Sequence, residues 1–241
     1  MKKTNLLATA TTSDGQLLTL HEHDGDCLIR VGSVELMSTR QHQSEERIAH
    51  LACAHLGADA PGARVLIGGL GLGFTLRAAL ACLAPDARVV VAELVPEVIA
   101  WNRVPEYRLG AEPMSDPRVE VVCGDVADLM RTNRGRCDAI ILDVDNGARG
   151  LSTSSNDRLY QMPGLSLARS ALKSDGCLAV WSASPDRTFV ELMGQCGFDV
   201  TVERERPHPG SGGWHFLFIG RVQKAVHRAS GKAATPGGTR R

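Results

Sequence analysis

Five short runs of Val, Ile, Leu and Ala recur through the middle of the chain, and helix-like segments separate them. The runs are RVLIGG (64–69), RVVVAEL (88–94), VEVVCGD (119–125), DAIILDV (138–144) and GCLAVWSA (176–183). Strands that read as continuous apolar runs are buried on both faces, which is typical of a parallel sheet covered by helices. The alternation therefore predicts an α/β domain with a Rossmann-like, mostly parallel sheet.

The alternation of strands and helices changes after the fifth run. A helix over DRTFVELMGQCG is followed by DVTVERERP and GWHFLFIGRV with only a loop between them. Two strands joined by a loop pair antiparallel, whereas parallel neighbours need a long crossover. We therefore expect a seven-stranded sheet whose last two strands form an antiparallel C-terminal hairpin at the edge.

The composition divides the chain into three regions. Residues 1–40 read as short strands with turns, and they predict a small N-terminal β appendage. Residues 41–222 hold the α/β pattern, and a chain of 241 residues that is 43% hydrophobic can bury one sizeable core there. Residues 223–241 are rich in Gly, Ala, Thr and basic side chains, which predicts a disordered basic tail.

The charge balance and the cysteines narrow the class of function. Lys and Arg total 27, as do Asp and Glu, so no overall field attracts nucleic acid or an anionic membrane. No apolar stretch approaches the roughly 18 residues of a membrane span, and the first residues do not resemble a signal peptide, so we expect a cytoplasmic protein. The 7 cysteines lack CxxC spacing, which favours reduced thiols and predicts no metal site.

A glycine-rich loop follows the first strand. The stretch GGLGLGFT places Gly68, Gly69, Gly71 and Gly73 between that strand and an apolar helix, where glycines let the backbone turn tightly against a ligand. The spacing is not the G-x-G-x-x-G of dinucleotide-binding proteins, and no Gly-Lys-Ser/Thr follows as in a P-loop. The loop fits an adenosyl ligand that lacks a pyrophosphate.

Acidic residues follow the next three strands at the edge of the sheet where ligands bind. Glu93 is placed to accept hydrogen bonds from the ribose hydroxyls. Asp125 can accept from the adenine amino group, with Val126 offering a backbone amide, and Asp143 follows the fourth strand. Each acid can instead cap a following turn or helix, but their coincidence with the glycine loop favours an adenosyl pocket.

The same segments resemble successive motifs of spermidine synthases, within the class I S-adenosylmethionine-dependent methyltransferase fold. The motifs are ARVLIGGLGLGFTLRAAL, VVVAELVPEVIA, DPRVEVVCGDVADLM, CDAIILDVDNG and ARSALKSDGCLAVWSASP, and the resemblance covers about residues 36–220. It implies transfer of an aminopropyl group from decarboxylated S-adenosylmethionine to an amine, with Glu93 on the ribose, Asp125 on the adenine and Asp143 nearest the acceptor nitrogen. It also implies a homodimer.

The acceptor amine gives Asp143 its expected task. An alkylammonium has a pKa near about 10.4, so a carboxylate must hold the ammonium, take its proton and aim the lone pair at the carbon beside sulfur. The candidates for the rest of the acceptor site are Gln41, Glu46, Asp145, Asn146 and Trp181.

The chain also departs from the family's pattern. The family carries an acid at the position of Gly71, which favours a nucleoside tail that ends in an ammonium, and a second acid at the position of Asn146. Glu45, Glu46 and Asp145 are acids that can supply replacement charge. Three hypotheses remain open: an aminopropyltransferase acting on an amine, a methyltransferase or other S-adenosylmethionine-consuming enzyme acting on a small molecule, and a nucleoside-binding protein without catalysis.

Overall fold

The computed structural model describes residues 4–12, 15–56, 60–144, 157–208, 210 and 213–223. Within these ranges the strands form two sheets. The first is an antiparallel four-stranded sheet in the order β1-β2-β3-β4. Its strands are β1 Asn5–Thr11, β2 Leu17–His23, β3 Asp26–Val31 and β4 Val34–Ser38. This sheet confirms the β appendage predicted for the start of the chain.

The second sheet has seven strands in the order β10-β11-β9-β8-β5-β6-β7. Strands β5 to β9 pair in parallel, and β11 pairs antiparallel with both β9 and β10. The predicted fold class is therefore confirmed, including the hairpin at the edge. The strands are β5 Arg64–Gly68, β6 Arg88–Glu93, β7 Val119–Cys123, β8 Cys137–Leu142, β9 Leu172–Ser182, β10 Phe198–Glu205 and β11 His215–Val222.

Helices connect the strands and cover both faces of the large sheet. They are α1 Gln43–Cys53, α2 Phe74–Cys82, α3 Pro96–Asn102, α4 Ala111–Met114, α5 Val126–Thr132, α6 Met162–Ala171 and α7 Arg187–Gln195, with short 3₁₀ turns at Pro105–Tyr107 and Asp157–Tyr160. In the described part of the chain, no helix is both long and apolar enough to cross a membrane.

The segment LYQMPGLSLARSAL is one of the helix-like segments between the predicted strands, and its pattern predicts a single helix; the structure instead has a 3₁₀ turn and a separate helix there. A 3₁₀ turn ends at Tyr160, and α6 begins only at Met162. Pro163 explains the break, because proline lacks an amide hydrogen and fits the first turn of a helix but not its interior.

The buried side chains explain why the strand runs are continuous. Along β5, Val65 and Ile67 pack on one face with helix α1, and Leu66 packs on the other with α5 and α6. A third cluster joins Leu20 and Ile29 of the small sheet to the glycine-rich loop and α3. The small sheet therefore lies against the loop that follows β5.

The strand order fixes where a ligand can lie. Strand β5 has β6 on one side and β8 on the other, so the chain leaves β5 at the point where the strand order reverses. Open α/β sheets bind ligands in the crevice at this point, beyond the carboxyl ends of the strands. The loops after β5, β6, β7 and β8 all leave the sheet at this edge, and they carry the candidate residues.

Candidate functional site

The glycine-rich loop lies directly against the end of β8. The amide of Asp143 donates to the carbonyl of Gly68 at 2.9 Å. Gly69 has φ +92°, and a Cβ at this position would lie 2.1 Å from the carbonyl oxygen of Asp143. A side chain is therefore excluded at residue 69, and two of the predicted site residues touch through their backbones.

Two other glycines of the loop, Gly68 and Gly71, are held by side chains of helices α5 and α3. A Cβ on Gly68 would meet the side chain of Val126 at 3.1 Å, so Val126 packs under the loop. Asn102 of α3 is fully buried, donates to the carbonyl of Gly71 at 2.7 Å, and accepts from the amide of Gly110 at 2.8 Å. Asn102 is not among the site residues predicted from the sequence, because it lies two residues beyond the motif VVVAELVPEVIA, which contains most of its helix.

Glu93 ends β6 and binds the same loop. Its carboxylate accepts from the amide of Leu70 at 3.0 Å and from the amide of Val95 at 2.9 Å. Burial raises the pKa of Glu93, and the backbone amides of Val95, Leu70 and Gly71 act in the opposite direction. A hydrogen bond from the ribose hydroxyls to this carboxylate stays a prediction.

Asp125 takes the capping role that the sequence left open. It is the N-cap residue of α5 and accepts from the amide of Ala127 at 2.7 Å. Its second oxygen forms an ion pair with Arg158. A hydrogen bond from the adenine amino group to Asp125 stays a prediction. That bond would either share the second oxygen with Arg158 or displace Arg158 from it.

Asp143 is the first residue after β8, and it is partly buried. Oδ2 accepts a hydrogen bond of 2.6 Å from Oγ1 of Thr75, near the start of α2. Burial raises the pKa of Asp143 to about 6, and the bond from Thr75 opposes that rise. The group is therefore close to the range in which it can exchange a proton with a substrate.

A second carboxylate, that of Glu45, interacts with Asp143. Burial raises the pKa of Glu45 to about 8, with a further contribution from the charge of Asp143. Thr75 connects the two residues, because the hydroxyl that binds Asp143 also lies 3.3 Å from the backbone carbonyl of Glu45. The crevice thus contains an acid pair whose protons are held more tightly than those of ordinary carboxyl groups.

Ser44 holds Glu45 in place. The Ser44 hydroxyl is fully buried and donates to Oε2 of Glu45 at 2.5 Å. It accepts from Nε1 of Trp181 at 3.1 Å, and Nδ1 of His215 lies 2.8 Å from the same oxygen. Burial lowers the pKa of His215 to about 4, so its ring is neutral near neutral pH. Trp181 is only 6% exposed, and the hydrogen bond that it makes here helps to hold the Ser44 hydroxyl in place.

The remaining predicted acceptor residues are placed differently. Glu46 pairs with Nδ1 of His42 at 3.1 Å, and its side chain is 35% exposed. Gln41 forms a backbone bridge to Ser38. Asp145 and Asn146 lie outside the described residues, as does the predicted tail from residue 224. Of the two neighbouring glutamates, Glu45 is the one that interacts with Asp143.

Comparison with known proteins supports the resemblance in the motifs. No protein-family model matches the chain. A polyamine aminopropyltransferase of Streptomyces coelicolor is 28% identical over 194 residues, which is 77% of this chain. The chain spans about a third of the length of this curated relative, 34%. The matched part is thus similar in sequence to a portion of a longer protein.

Solved structures extend the similarity to the fold. A spermidine synthase in complex with the transition state analogue AdoDATO matches 90% of this chain and 72% of its own, with a TM-score of 0.70 at 20% identity. The 1,6-didemethyltoxoflavin-N1-methyltransferase of Burkholderia thailandensis, with bound S-adenosylhomocysteine, matches 76% of this chain and 80% of its own, with a TM-score of 0.54 at 19% identity. The fold is that of the class I methyltransferases, and the predicted resemblance to spermidine synthases is confirmed.

Proposed function

We propose that the protein is a spermidine synthase-like transferase that moves an aminopropyl group from decarboxylated S-adenosylmethionine to an amine. The observation that carries this proposal is the position of Asp143. Its backbone touches the glycine loop at Gly69, and its carboxylate interacts with Glu45. A reactive carbon held over the loop would therefore lie beside groups that can bind and deprotonate an amine.

The strand order suggests how the nucleoside would lie. Asp125 follows β7, Glu93 ends β6, the glycine loop follows β5, and Asp143 follows β8. Adenine near Asp125 and Val126, and ribose near Glu93, direct the sulfur and its tail toward the loop. In this arrangement the sulfonium carbon would lie toward Asp143.

The reaction needs a base more than it needs an acid. The amine nitrogen forms the new bond to the carbon beside sulfur, the carbon–sulfur bond breaks, and sulfur keeps the electron pair as a neutral thioether. An ammonium acceptor must first lose one proton, because its lone pair is otherwise occupied. Asp143 accepts that proton directly or through water and orients the nitrogen.

Glu45 strengthens the case for an amine acceptor. Two carboxylates that share a desolvated site titrate together, and the first proton is held at a raised pKa. Such a pair is stabilised by a cationic nitrogen between its members, and it retains a site for the proton that the nitrogen gives up. A neutral acceptor offers no positive charge to replace the shared proton, so the pair would keep that proton.

A methyltransferase is the second candidate. Gly71 supplies no acid beside the tail of the nucleoside, and the fold is shared with a methyltransferase solved with S-adenosylhomocysteine. The two candidates differ in product, since aminopropyl transfer releases methylthioadenosine and methyl transfer releases S-adenosylhomocysteine. A homodimer and a cytoplasmic location stay predictions.

The purified full chain tests the proposal. It is incubated with decarboxylated S-adenosylmethionine, or with S-adenosylmethionine, and a series of monoamines and diamines of increasing length. Chromatography then measures both nucleoside products. We expect methylthioadenosine and an aminopropylated amine. Formation of S-adenosylhomocysteine alone would favour the methyltransferase, and binding without either product would favour a nucleoside-binding protein.

A further inference from the structure

Met37 of β4 lies on the glycine loop. A Cβ placed on Gly71, which has φ +51°, would lie 2.7 Å from Sδ of Met37 and 3.0 Å from its Cε. The end of the Met37 side chain therefore fills the space that a side chain at residue 71 would need. Residue 71 is glycine for two reasons, because its backbone is left-handed and because Met37 covers it.

Neighbouring residues hold both partners of this contact. Met37 pairs with Ile29 across β3 and β4, and it packs against the cluster that joins the small sheet to Leu72 of the loop. Gly71 in turn is held by Asn102, which donates a hydrogen bond to its carbonyl oxygen. Met37 is only half-buried. The small sheet thus places an uncharged thioether beside Gly71 of the loop.

The position matters because of what lies on each side of it. The loop stands between Glu93, at the end of β6, and Asp143, after β8. In the proposed arrangement of the nucleoside, this is where the tail beyond sulfur passes. A charge here would act on the tail through a short distance in a partly desolvated crevice, where Coulomb interactions are stronger than in bulk water.

We propose that Met37 is a specificity-determining residue of the nucleoside site, and that its neutral thioether lets the site accept the zwitterionic amino-acid tail of S-adenosylmethionine as well as the cationic tail of the decarboxylated form. The inference rests on the proposed function, because it assumes that an adenosyl sulfonium compound lies over the loop. Beyond the proposed function, the inference states which nucleoside tails the site can bind and names Met37, in the N-terminal sheet, as the residue that determines this.

Substitutions of Met37 that differ in charge but little in size test this role. Isothermal titration calorimetry measures the affinity of the full chain, Met37→Glu and Met37→Gln for the two nucleosides. We expect the unaltered protein to bind both. Met37→Glu should weaken S-adenosylmethionine relative to the decarboxylated form by at least about tenfold, because the new carboxylate repels that of the tail. Met37→Gln should leave the ratio of the two affinities near that of the unaltered protein.

Met37→Lys provides a second variant that does not depend on the folding of the first. It should shift the ratio in the opposite direction, since a cation attracts the carboxylate and repels the ammonium. Binding of the decarboxylated form alone by the unaltered protein would overturn the inference and leave the proposed function standing. A smaller shift, or an equal shift in Met37→Gln, would overturn it too. Binding of neither nucleoside would overturn both.

Discussion

Thr75 Oγ1 donates a hydrogen bond of 2.6 Å to Oδ2 of Asp143, and this bond joins the start of α2 to the end of β8. The bond stabilises the ionised form of a carboxyl group whose pKa burial raises to about 6. Two opposing effects therefore set the protonation of Asp143. Since the hydroxyl can be removed without removing the carboxylate, the two effects can be separated by substitution.

Replacing Thr75 by Val tests this balance. Loss of the hydrogen bond to the charged form should raise the pKa of Asp143 further above its ordinary value. Asp143 must be ionised to hold an ammonium. As the pH is lowered, the variant should therefore lose activity at a higher pH than the unaltered protein does. We expect the acid limb of the profile of kcat/KM against pH to move up by about half a unit or more.

Thr75→Ser is the matched control, because it keeps the hydroxyl. Its acid limb should lie within experimental error of that of the unaltered protein. An acid limb that stays in place in Thr75→Val as well would show that Asp143 does not set it.

Glu45 and Glu46 offer a comparison between neighbours. Glu45→Gln removes the ionisable partner of Asp143, so the pair can no longer take up a second negative charge when a cationic amine binds, and we expect the KM for the amine to rise by about tenfold, which corresponds to roughly 1.4 kcal/mol. Glu46→Gln should raise it less, because Glu46 forms a partly exposed pair with His42. Steady-state kinetics with varied amine and saturating nucleoside measure both effects. An equal rise in KM for the two variants, or a larger rise for Glu46→Gln, would contradict the assignment of the acceptor site to Glu45.

Asn102 is expected to maintain the nucleoside site without touching the nucleoside. Asn102→Ala leaves the carbonyl of Gly71 and the amide of Gly110 without their buried partner, which should cost about 1–3 kcal/mol for each unsatisfied group. Urea unfolding measures this loss, and calorimetry measures the accompanying fall in nucleoside affinity.

Asn133→Ala is the control for Asn102, because Asn133 also donates to a backbone carbonyl but lies at the C-terminal end of α5. We expect a smaller loss of stability there and no loss of nucleoside affinity. If Asn102→Ala kept full nucleoside affinity, the loop would not depend on this residue for its shape.

The fold was predictable because local pattern and burial agree along the strands. Residues 65–67 of β5 are buried on both faces, and this is the condition that an unbroken apolar run indicates. The start of α6 was harder to predict, because the apolar pattern continues through residues that precede Pro163. The residue at which a helix begins or ends depends on single backbone groups, and the periodicity of apolar residues does not indicate that position.

The candidate site was predictable only where strand ends mark it. Glu93, Asp125 and Asp143 follow from the rule that ligands bind at the carboxyl ends of strands. The choice between Glu45 and Glu46 does not, because adjacent residues on a helix point about 100° apart and sequence alone does not fix which one faces the crevice. His215 lies 171 residues after Ser44 along the chain, and only the tertiary fold brings its ring to that hydroxyl.

The most direct test of the account is the formation of methylthioadenosine from decarboxylated S-adenosylmethionine and an amine by Asp143→Asn. The substitution keeps the size of the side chain and removes its charge. We expect turnover to fall by about 100-fold or more while the affinity for the nucleoside changes little. Turnover equal to that of the unaltered protein would contradict the account, and so would a loss of nucleoside affinity as large as the loss of turnover.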